Sequence, residues 1–340
     1  MTLPRFLAPA RRHARSLLLA ALATLAACGG SVSRVEVFAP TAFVSFGDEL
    51  SYLESDGRKY SINIFATVTN ADGTVSNTTS FNCAAAPVWN QSLAASFNFA
   101  FGACNPGLAG VRTADLRSAP GATVAQVAAQ VAAYRSEAGK GFTPRTLVTV
   151  MAGLHDVLDA YEVYRTGGPT EAKRLAAMAV VTAAGKQLGD LVNAIADNGR
   201  GGRVIYSSIP DLQYSPLAVA HEAAAPGSLL VLRDLSSAFN TSFRITVLDD
   251  GRYAGVVLGD ELMQILGKFG GFALPAVSPC TKALPDCSPS TLTDVVTNAD
   301  GTKTDGTATA HLWADATRPG ITWHSRVASL AESRARNNPF

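Results

Sequence analysis

The chain has 340 residues, of which 47% are hydrophobic and 16% are charged. This composition excludes a disordered chain, which would carry more charge and fewer apolar residues. The formal net charge of +1 excludes the strongly basic surface that is typical of nucleic-acid-binding proteins. The length is sufficient for one large α/β domain or for two smaller ones.

Residues 1–27 are predicted to form an export signal. Four arginines precede the apolar run Ser16 to Ala27, which is too short to span a bilayer. The run leads into the letters LAACG at residues 25–29, which resemble a bacterial lipobox, where the cysteine becomes the lipidated first residue of the mature chain. Cys28 is therefore the predicted lipidation site, and an ordinary secretory signal that contains a cysteine by chance is the alternative.

The lipobox predicts a bacterial outer-membrane lipoprotein that is periplasmic or surface-exposed. Gly29 follows the cysteine, and in this class of signals a residue other than aspartate points to the outer membrane. Residues 28–40 are then the lipidated cysteine and a tether, and the expected partner is the membrane through the lipid anchor. Removing residues 1–27 takes away four arginines and no acidic residue, which leaves 24 basic and 27 acidic residues and a net charge of −3. The mature protein is mildly acidic, so no nucleic-acid partner is expected.

Apolar runs that predict buried strands alternate with helical patterns along the chain. Four strands are predicted to begin at Ala42, Thr146, Arg203 and Tyr253, with helices over 121–138, 170–196, 228–243 and 321–336. Two further strands in residues 59–81 form a predicted hairpin around the turn signal Asn70 to Gly73. The phrase TNADGT at 69–74 recurs at 297–302, and a hairpin turn is favoured there over a calcium loop, because no further carboxylates follow at calcium spacing.

This alternation predicts βαβ units and therefore a mostly parallel sheet that helices cover on both faces. Ligands in such folds bind at the carboxyl ends of the strands. The loops after Phe46, Met151 and Ile209 are therefore the places where functional residues are expected.

Four cysteines remain after Cys28, and an even number in an oxidising compartment predicts two disulfides. Short loops close most easily, so the pairing Cys83–Cys104 and Cys280–Cys287 is favoured over the two other connectivities. The sequence has no C-x-x-C pair and no histidine at ligand spacing, so a metal site is not predicted. No cofactor is expected.

The segment FGDELS at residues 46–51 resembles the first block of the GDSL lipase/esterase family, also called SGNH hydrolases. That block reads Gly-Asp-Ser-Leu in the family, and its serine is the nucleophile. Four more segments resemble family blocks in the family's order: Asn98 to Gly102, Met151 to Asp156, Ile209 to Leu212 and Trp313 to Pro319. The resemblance covers about residues 42–335. It implies one SGNH-hydrolase-like domain over 41–336, with a three-layer α/β/α, flavodoxin-like doubly wound sheet, and an activity on acyl esters.

The resemblance also assigns candidate site residues. It places Glu49 at the nucleophile position, His155 at the oxyanion-hole asparagine and Arg318 at the general-base histidine. Gly102 and Asp315 match the family's oxyanion-hole glycine and catalytic aspartate. The supporting residues of the same blocks are Gly47, Asp48, Gly153 and Asp156.

These replacements predict loss of the family's reaction. A carboxylate is a far weaker attacker of esters than a hydroxyl that an imidazole deprotonates. The guanidinium of Arg318 is always protonated and cannot act as a general base. We therefore expect a catalytically impaired relative, with binding of an acyl, lipid or carbohydrate ligand as the activity that could remain.

Two other functions are open from the sequence. One is an enzyme with a rearranged site, either an active esterase built from Ser51, His311 or His324 and an aspartate, or another hydrolase with Glu49 and His155 as an acid–base pair. The other is a purely structural envelope lipoprotein.

The charges of the replaced residues lead to a structural hypothesis. Glu49 facing Arg318 would replace a Ser–His hydrogen bond by an ion pair. Asp315 would then orient the guanidinium, and His155 is a further candidate member of the polar cluster. The alternative is that each side chain is separately solvated.

Overall fold

The computed structural model describes residues 38–104, 107, 109–248, 251–272, 275–294, 296–297, 303–304 and 306–337. The predicted signal, Cys28 and residues 29–37 of the tether lie outside the described residues. The strands are β1 (Ala42–Gly47), β2 (Phe65–Thr69), β3 (Val75–Phe81), β4 (Phe99–Phe101), β5 (Arg112–Leu116), β6 (Thr146–Met151), β7 (Arg203–Ser207), β8 (Ala254–Val257), β9 (Val296–Thr297) and β10 (Lys303–Thr304). The helices are α1 (Trp89–Ser96), α2 (Val124–Ser136), α3 (Leu154–Arg165), α4 (Glu171–Ala196), α5 (Pro216–Ala224), α6 (Ser228–Thr246), α7 (Gly259–Phe269) and α8 (Ile321–Asn337).

Six strands form one parallel sheet in the order β4-β5-β1-β6-β7-β8. Without the edge strand β4 this is the doubly wound order 2-1-3-4-5. The chain reverses its direction of progress across the sheet at β1 and β6, and ligands bind at such a switch point. The predicted α/β class with a parallel central sheet is confirmed.

Strands β1 and β6 are buried almost throughout because they consist of apolar and small side chains without the alternation of a half-exposed strand. Their register pairs Ala42 with Thr146 and Gly47 with Met151, so the two strands end side by side. The loops that follow them must therefore meet at the carboxyl edge of the sheet.

Helices cover both faces of the sheet. Helices α2 and α4 pack on one face, against β1 and against β7 and β8, and α8 packs on the other, against β7, β8 and α1. Helix α4 begins with Thr170 as its N-cap, as predicted, because the Thr170 hydroxyl accepts the N–H of Lys173.

Helix α4 is long and apolar enough to cross a membrane by length and composition alone, but in this fold it packs closely on α6. A Cβ on Gly185 would lie 2.4 Å from the carbonyl oxygen of Phe239, so the close approach of the two helices requires glycine there.

Two antiparallel hairpins lie outside the main sheet. Strands β2 and β3 enclose the first TNADGT segment, where the Asn70 carbonyl accepts the N–H of Gly73, so the predicted hairpin is confirmed. Strands β9 and β10 flank the second copy, whose turn lies outside the described residues.

Both favoured cysteine pairs are present as disulfides. The Cα atoms of Cys83 and Cys104 are 5.4 Å apart, and those of Cys280 and Cys287 are 5.6 Å apart. The first disulfide lies beside α1 and β4, and the second closes a short loop ahead of the last segment of the chain.

Candidate functional site

The loop after β1 turns sharply at Gly47. Its φ of +151° and the closeness of β6 exclude a side chain, because a Cβ there would lie 2.1 Å from the carbonyl oxygen of Met151. The same carbonyl accepts the N–H of Asp48 at 3.2 Å. Because position 47 is glycine, the loop after β1 can lie directly against the end of β6.

A single 3₁₀ turn, Glu49–Ser51, follows this glycine. Asp48 caps the turn, since its Oδ1 accepts the N–H of Leu50 at 3.0 Å. The turn directs Glu49 inward, and its side chain is 0% exposed. A buried carboxylate requires partners, and Glu49 has several.

The Glu49 carboxylate is held by two basic side chains and one backbone donor. The His155 Nε2 lies 2.8 Å from both carboxylate oxygens. The Arg318 guanidinium donates through Nε at 2.8 Å and lies 2.7 Å away through Nη2, both at Oε1. The backbone N–H of Gly121 donates to Oε2 at 3.0 Å. We call Glu49, His155, Arg318 and Asp315, together with this N–H, the Glu49 cluster.

Asp315 holds the guanidinium from the side opposite Glu49. Its Oδ2 accepts Arg318 Nη1 at 2.8 Å, and its Oδ1 accepts the backbone N–H groups of Thr317 and Arg318 at 2.9 and 2.7 Å. The predicted contact between Glu49 and Arg318, and the orientation of Arg318 by Asp315, are confirmed. His155 also belongs to the cluster.

The contacts shift the pKa values of the buried groups in opposite directions. Burial alone would raise the pKa of Glu49, but the His155 hydrogen bond and the Arg318 charge outweigh it and lower the pKa to about 2. Burial opposes the protonation of His155, but the hydrogen bond to Glu49 raises the His155 pKa above its ordinary value. Burial opposes the charge of Arg318 as well, but the negative charges of Glu49 and Asp315 raise the Arg318 pKa above its ordinary value. Glu49 is therefore an ionised carboxylate that faces the Arg318 guanidinium and the His155 imidazole.

The surroundings of Asp48 disfavour the ionised form of its side chain. It is fully buried, and burial together with the charge of Glu49 raises its pKa well above the ordinary value. Within the described part of the chain, its Oδ2 has no hydrogen-bond partner. The contact that Asp48 makes in this region is the backbone cap of the Glu49 turn.

Two further predicted residues support the loop after β6. Gly153 has a φ of +117° and begins α3, and a Cβ there would lie 2.1 Å from the Phe239 ring. Asp156, in the first turn of α3, accepts the N–H of Val124 at the start of α2 at 3.0 Å. Burial raises the pKa of Asp156. These contacts fix α3, and with it His155, against α2 and α6.

That Gly102 belongs to this site stays a prediction, since among the described residues no hydrogen bond joins Gly102 to the Glu49 cluster. Gly102 follows β4, the edge strand that β5 separates from β1, which places it two strand spacings, or about 10 Å, from β1. The backbone N–H that reaches Glu49 comes from Gly121, after β5. The sequence of β5 does not mark it as a strand, and the Pro120-Gly121 turn signal ahead of α2 is the pattern that points to this donor.

The alternative triad is not assembled. Ser51 is fully buried, and its hydroxyl accepts the Trp89 indole N–H at 3.0 Å. The Nε2 of His311 lies 3.4 Å from Oδ1 of Asp294. Both ring nitrogens of His324 lack a partner within the described residues, and burial lowers its pKa to about 3. Neither histidine hydrogen-bonds Ser51 there.

Chemically, the cluster is an internally neutralised carboxylate. A carboxylate has about four lone-pair positions, and His155, Arg318 and the Gly121 N–H occupy the Glu49 oxygens. The described residues include no group of three or more histidine, cysteine, aspartate or glutamate side chains arranged to hold a metal.

No protein-family model matches the chain, and no curated protein matches its sequence. Among solved structures, the chain is similar to a lipolytic protein of the G-D-S-L family from Veillonella parvula DSM 2008, at 10% identity and a TM-score of 0.36, over 85% of this chain and 95% of that one. It is also similar to an acetylxylan esterase from Geobacillus stearothermophilus, at 10% identity and a TM-score of 0.39, over 88% of this chain and 95% of that one. The α/β/α assignment itself rests on the strand order and helix layers described above.

Proposed function

We propose that this protein is a lipid-anchored envelope protein whose GDSL/SGNH-like domain does not hydrolyse esters and acts by binding. One observation carries the proposal. At the end of β1, where the resemblance places the nucleophilic serine, the Glu49 carboxylate is engaged by Arg318, His155 and the Gly121 N–H at 2.7 to 3.0 Å.

The chemistry of these groups disfavours acyl transfer. A carboxylate with a pKa near 2 is weakly basic and weakly nucleophilic, and its lone pairs already accept hydrogen bonds. Arg318 occupies the general-base position but cannot accept a proton, because its own pKa is raised. His155 is bound to Glu49 and not to a hydroxyl. The nucleophile and the general base of the family's reaction are therefore both absent.

The envelope location is supported by two features. The sequence of the leader ends in a lipobox-like segment with Cys28, and the folded chain has two disulfides, which persist in oxidising compartments. The ligand of the domain would be an acyl or lipid group or a carbohydrate.

Catalysis can be tested by reverting the three positions together. The protein lacking residues 1–28 is assayed with 4-nitrophenyl acetate, beside the variant Glu49→Ser/His155→Asn/Arg318→His. The matched control is Glu171→Ser/Arg174→His, which makes the same Glu→Ser and Arg→His substitutions in an exposed ion pair of α4. We expect no turnover by the unaltered protein or the control above a heat-inactivated sample, and measurable turnover by the triple variant. Turnover by the unaltered protein that Glu49→Gln abolishes would contradict the proposal.

The anchor is tested separately. We expect cells that express the full chain to incorporate labelled palmitate into it, and the Cys28→Ala variant to lose the label. A signal-peptide cleavage after a different residue, with no label on either chain, would contradict lipid anchoring but not the loss of hydrolysis.

A further inference from the structure

A groove of about 730 Å³ lies between α4, α6 and α7 and shares no residue with the Glu49 cluster. Its volume falls in the range of about 300 to 1,000 Å³ that is typical of small-molecule sites. Side chains from three helices and from the loop after β7 line it. The groove is therefore large enough for a ligand of two or more rings.

The floor of the groove is a buried carboxylate between two amides. Asp211 is only 4% exposed. Its Oδ1 accepts the backbone N–H of Gln213 at 3.1 Å, and its Oδ2 accepts Gln213 Nε2 at 2.7 Å and Gln264 Nε2 at 2.9 Å. The carboxylate and both amides are thus held in fixed orientations, and each amide keeps its carbonyl oxygen as an acceptor. Such groups accept hydrogen bonds from ligand hydroxyls.

One wall supplies hydroxyl groups and cations. Arg233, Ser237 and Thr241 are spaced four residues apart along α6, so they share one face of the helix. Lys268 faces them from α7. In the part of the chain that the structure describes, no protein group hydrogen-bonds the hydroxyls of Ser237 and Thr241 or the Lys268 ammonium. These groups are available to a ligand.

An aromatic ring adds an apolar surface among these polar groups. Tyr214 lines the groove and packs closely on α7, where a Cβ on Gly267 would lie 2.7 Å from its ring. The ring is therefore held in place by a glycine that leaves room for it. A fixed aromatic surface beside hydrogen-bonding groups suits a ligand with one apolar and several polar faces.

The charge and polarity of the lining disfavour polyanions, polycations and acyl chains as ligands. Its two acidic side chains, Asp211 and Asp234, balance its two basic ones, Arg233 and Lys268, so neither a polyanion nor a polycation is favoured. An acyl chain would make no hydrogen bond with the amide oxygens of Gln213 and Gln264 or with the hydroxyls of Ser237 and Thr241. A neutral ligand with many hydroxyl groups and an apolar ring face satisfies all of these groups.

We propose that this groove binds a neutral oligosaccharide. The proposal rests on the proposed function in that it names the ligand class and the place of the binding activity. Because the groove and the Glu49 cluster share no residue, the two proposals fail independently.

The test is isothermal titration of the protein lacking residues 1–28 with maltotetraose, cellotetraose, xylotetraose and chitotetraose in turn. We expect at least one of them to bind. Ser237→Phe places a ring in the groove from an exposed helix position, and Asp211→Asn keeps the shape but removes the charge. Each should weaken that binding about tenfold or more. The control Ser329→Phe, at an exposed serine of α8 outside the groove, should bind as the unaltered protein does.

Binding of none of the four sugars would overturn the proposal, as would binding that both groove variants retain. If Asp211→Asn fails to fold, as judged by circular dichroism, titration of Ser237→Phe still tests the proposal, because Ser237 is exposed. Ester turnover by the unaltered protein would contradict only the proposed loss of hydrolysis, since the titration does not depend on it.

Discussion

The Glu49 carboxylate and the Arg318 guanidinium lie 2.7 Å apart, although 269 positions separate them in the sequence. Glu49 is fully buried, whereas the Arg318 side chain is 24% exposed. The ion pair therefore ties the last segment of the chain to the first strand of the sheet, and its inner partner has no access to water. Removing the outer partner should leave a buried charge with less compensation.

Replacing Arg318 by methionine should destabilise the fold. Breaking a buried ion pair costs about 3 to 5 kcal/mol, and because His155 and Gly121 still bind Glu49 we expect about 2 to 3 kcal/mol. The double variant Glu49→Gln/Arg318→Met should recover at least half of this loss, since it removes the uncompensated charge. Urea unfolding curves measure both, with Arg174→Met at an exposed pair as the control. Equal losses in the single and double variants would contradict a buried, interdependent pair.

The close approach at Gly47 gives a second prediction. Gly47→Ala would place a Cβ 2.1 Å from the Met151 carbonyl oxygen, so the end of β1 must move away from β6, at an expected cost of about 3 kcal/mol or more. Gly73→Ala is the matched control, because Gly73 also has positive φ but has open space around it. We expect about 1 kcal/mol there from backbone strain alone. Similar losses of unfolding free energy in the two variants would show that the contact at Gly47 can be relieved cheaply.

The strand order could be predicted only in part from the sequence. Strands β1 and β6 are uninterrupted apolar runs, and this pattern predicts them. The sequence of β5, RTADL, has charged residues and no alternation, so it does not predict a strand. The place of β5 in the sheet comes from its neighbours β4 and β1.

The weak sequence signal of β5 also bears on the site. The resemblance assigns the family's oxyanion-hole glycine to Gly102, which follows the edge strand β4. Gly121 contributes a backbone N–H, which has no side-chain signature in a sequence. The pair Glu49 and Arg318 could be predicted because both positions carry charged side chains in recognisable blocks, and opposite charges at facing positions attract.

His324 gives a prediction for the pH dependence of stability. Burial, with the nearby Lys59 charge, lowers its folded-state pKa from 6.5 to about 3. Between pH 6.5 and 3 the unfolded chain binds a proton that the folded chain refuses, so stability falls as the pH falls through this window. The effect is on the order of 5 kcal/mol at full extent. His324→Phe should remove this part of the acid destabilisation.

The measurement compares the free energy of unfolding in urea of the unaltered protein and of His324→Phe, each at pH 7 and at pH 4. The control is His221→Gln, at a partly exposed histidine that hydrogen-bonds Tyr161. We expect the control to retain the pH dependence of the unaltered protein. An unchanged difference between the two pH values in His324→Phe would mean that His324 takes up its proton in the folded state.

The donors around Glu49 give the last prediction. Arg318, His155 and the Gly121 N–H converge on one carboxylate, and Asp315 holds Arg318 in place independently of Glu49. In the variant Glu49→Ala the donors remain while the carboxylate is absent, so a small external carboxylate should take its place. A ligand that binds only the folded state stabilises it by RT ln(1 + [L]/Kd). Formate should therefore raise the melting temperature of Glu49→Ala in a saturable way, and the same concentrations of sodium chloride should not.

The unaltered protein should show no such increase, because its own carboxylate fills the site. Equal responses of both proteins to formate would mean that the donors disperse once Glu49 is removed, and that the carboxylate organises the cluster instead of occupying a preformed anion site.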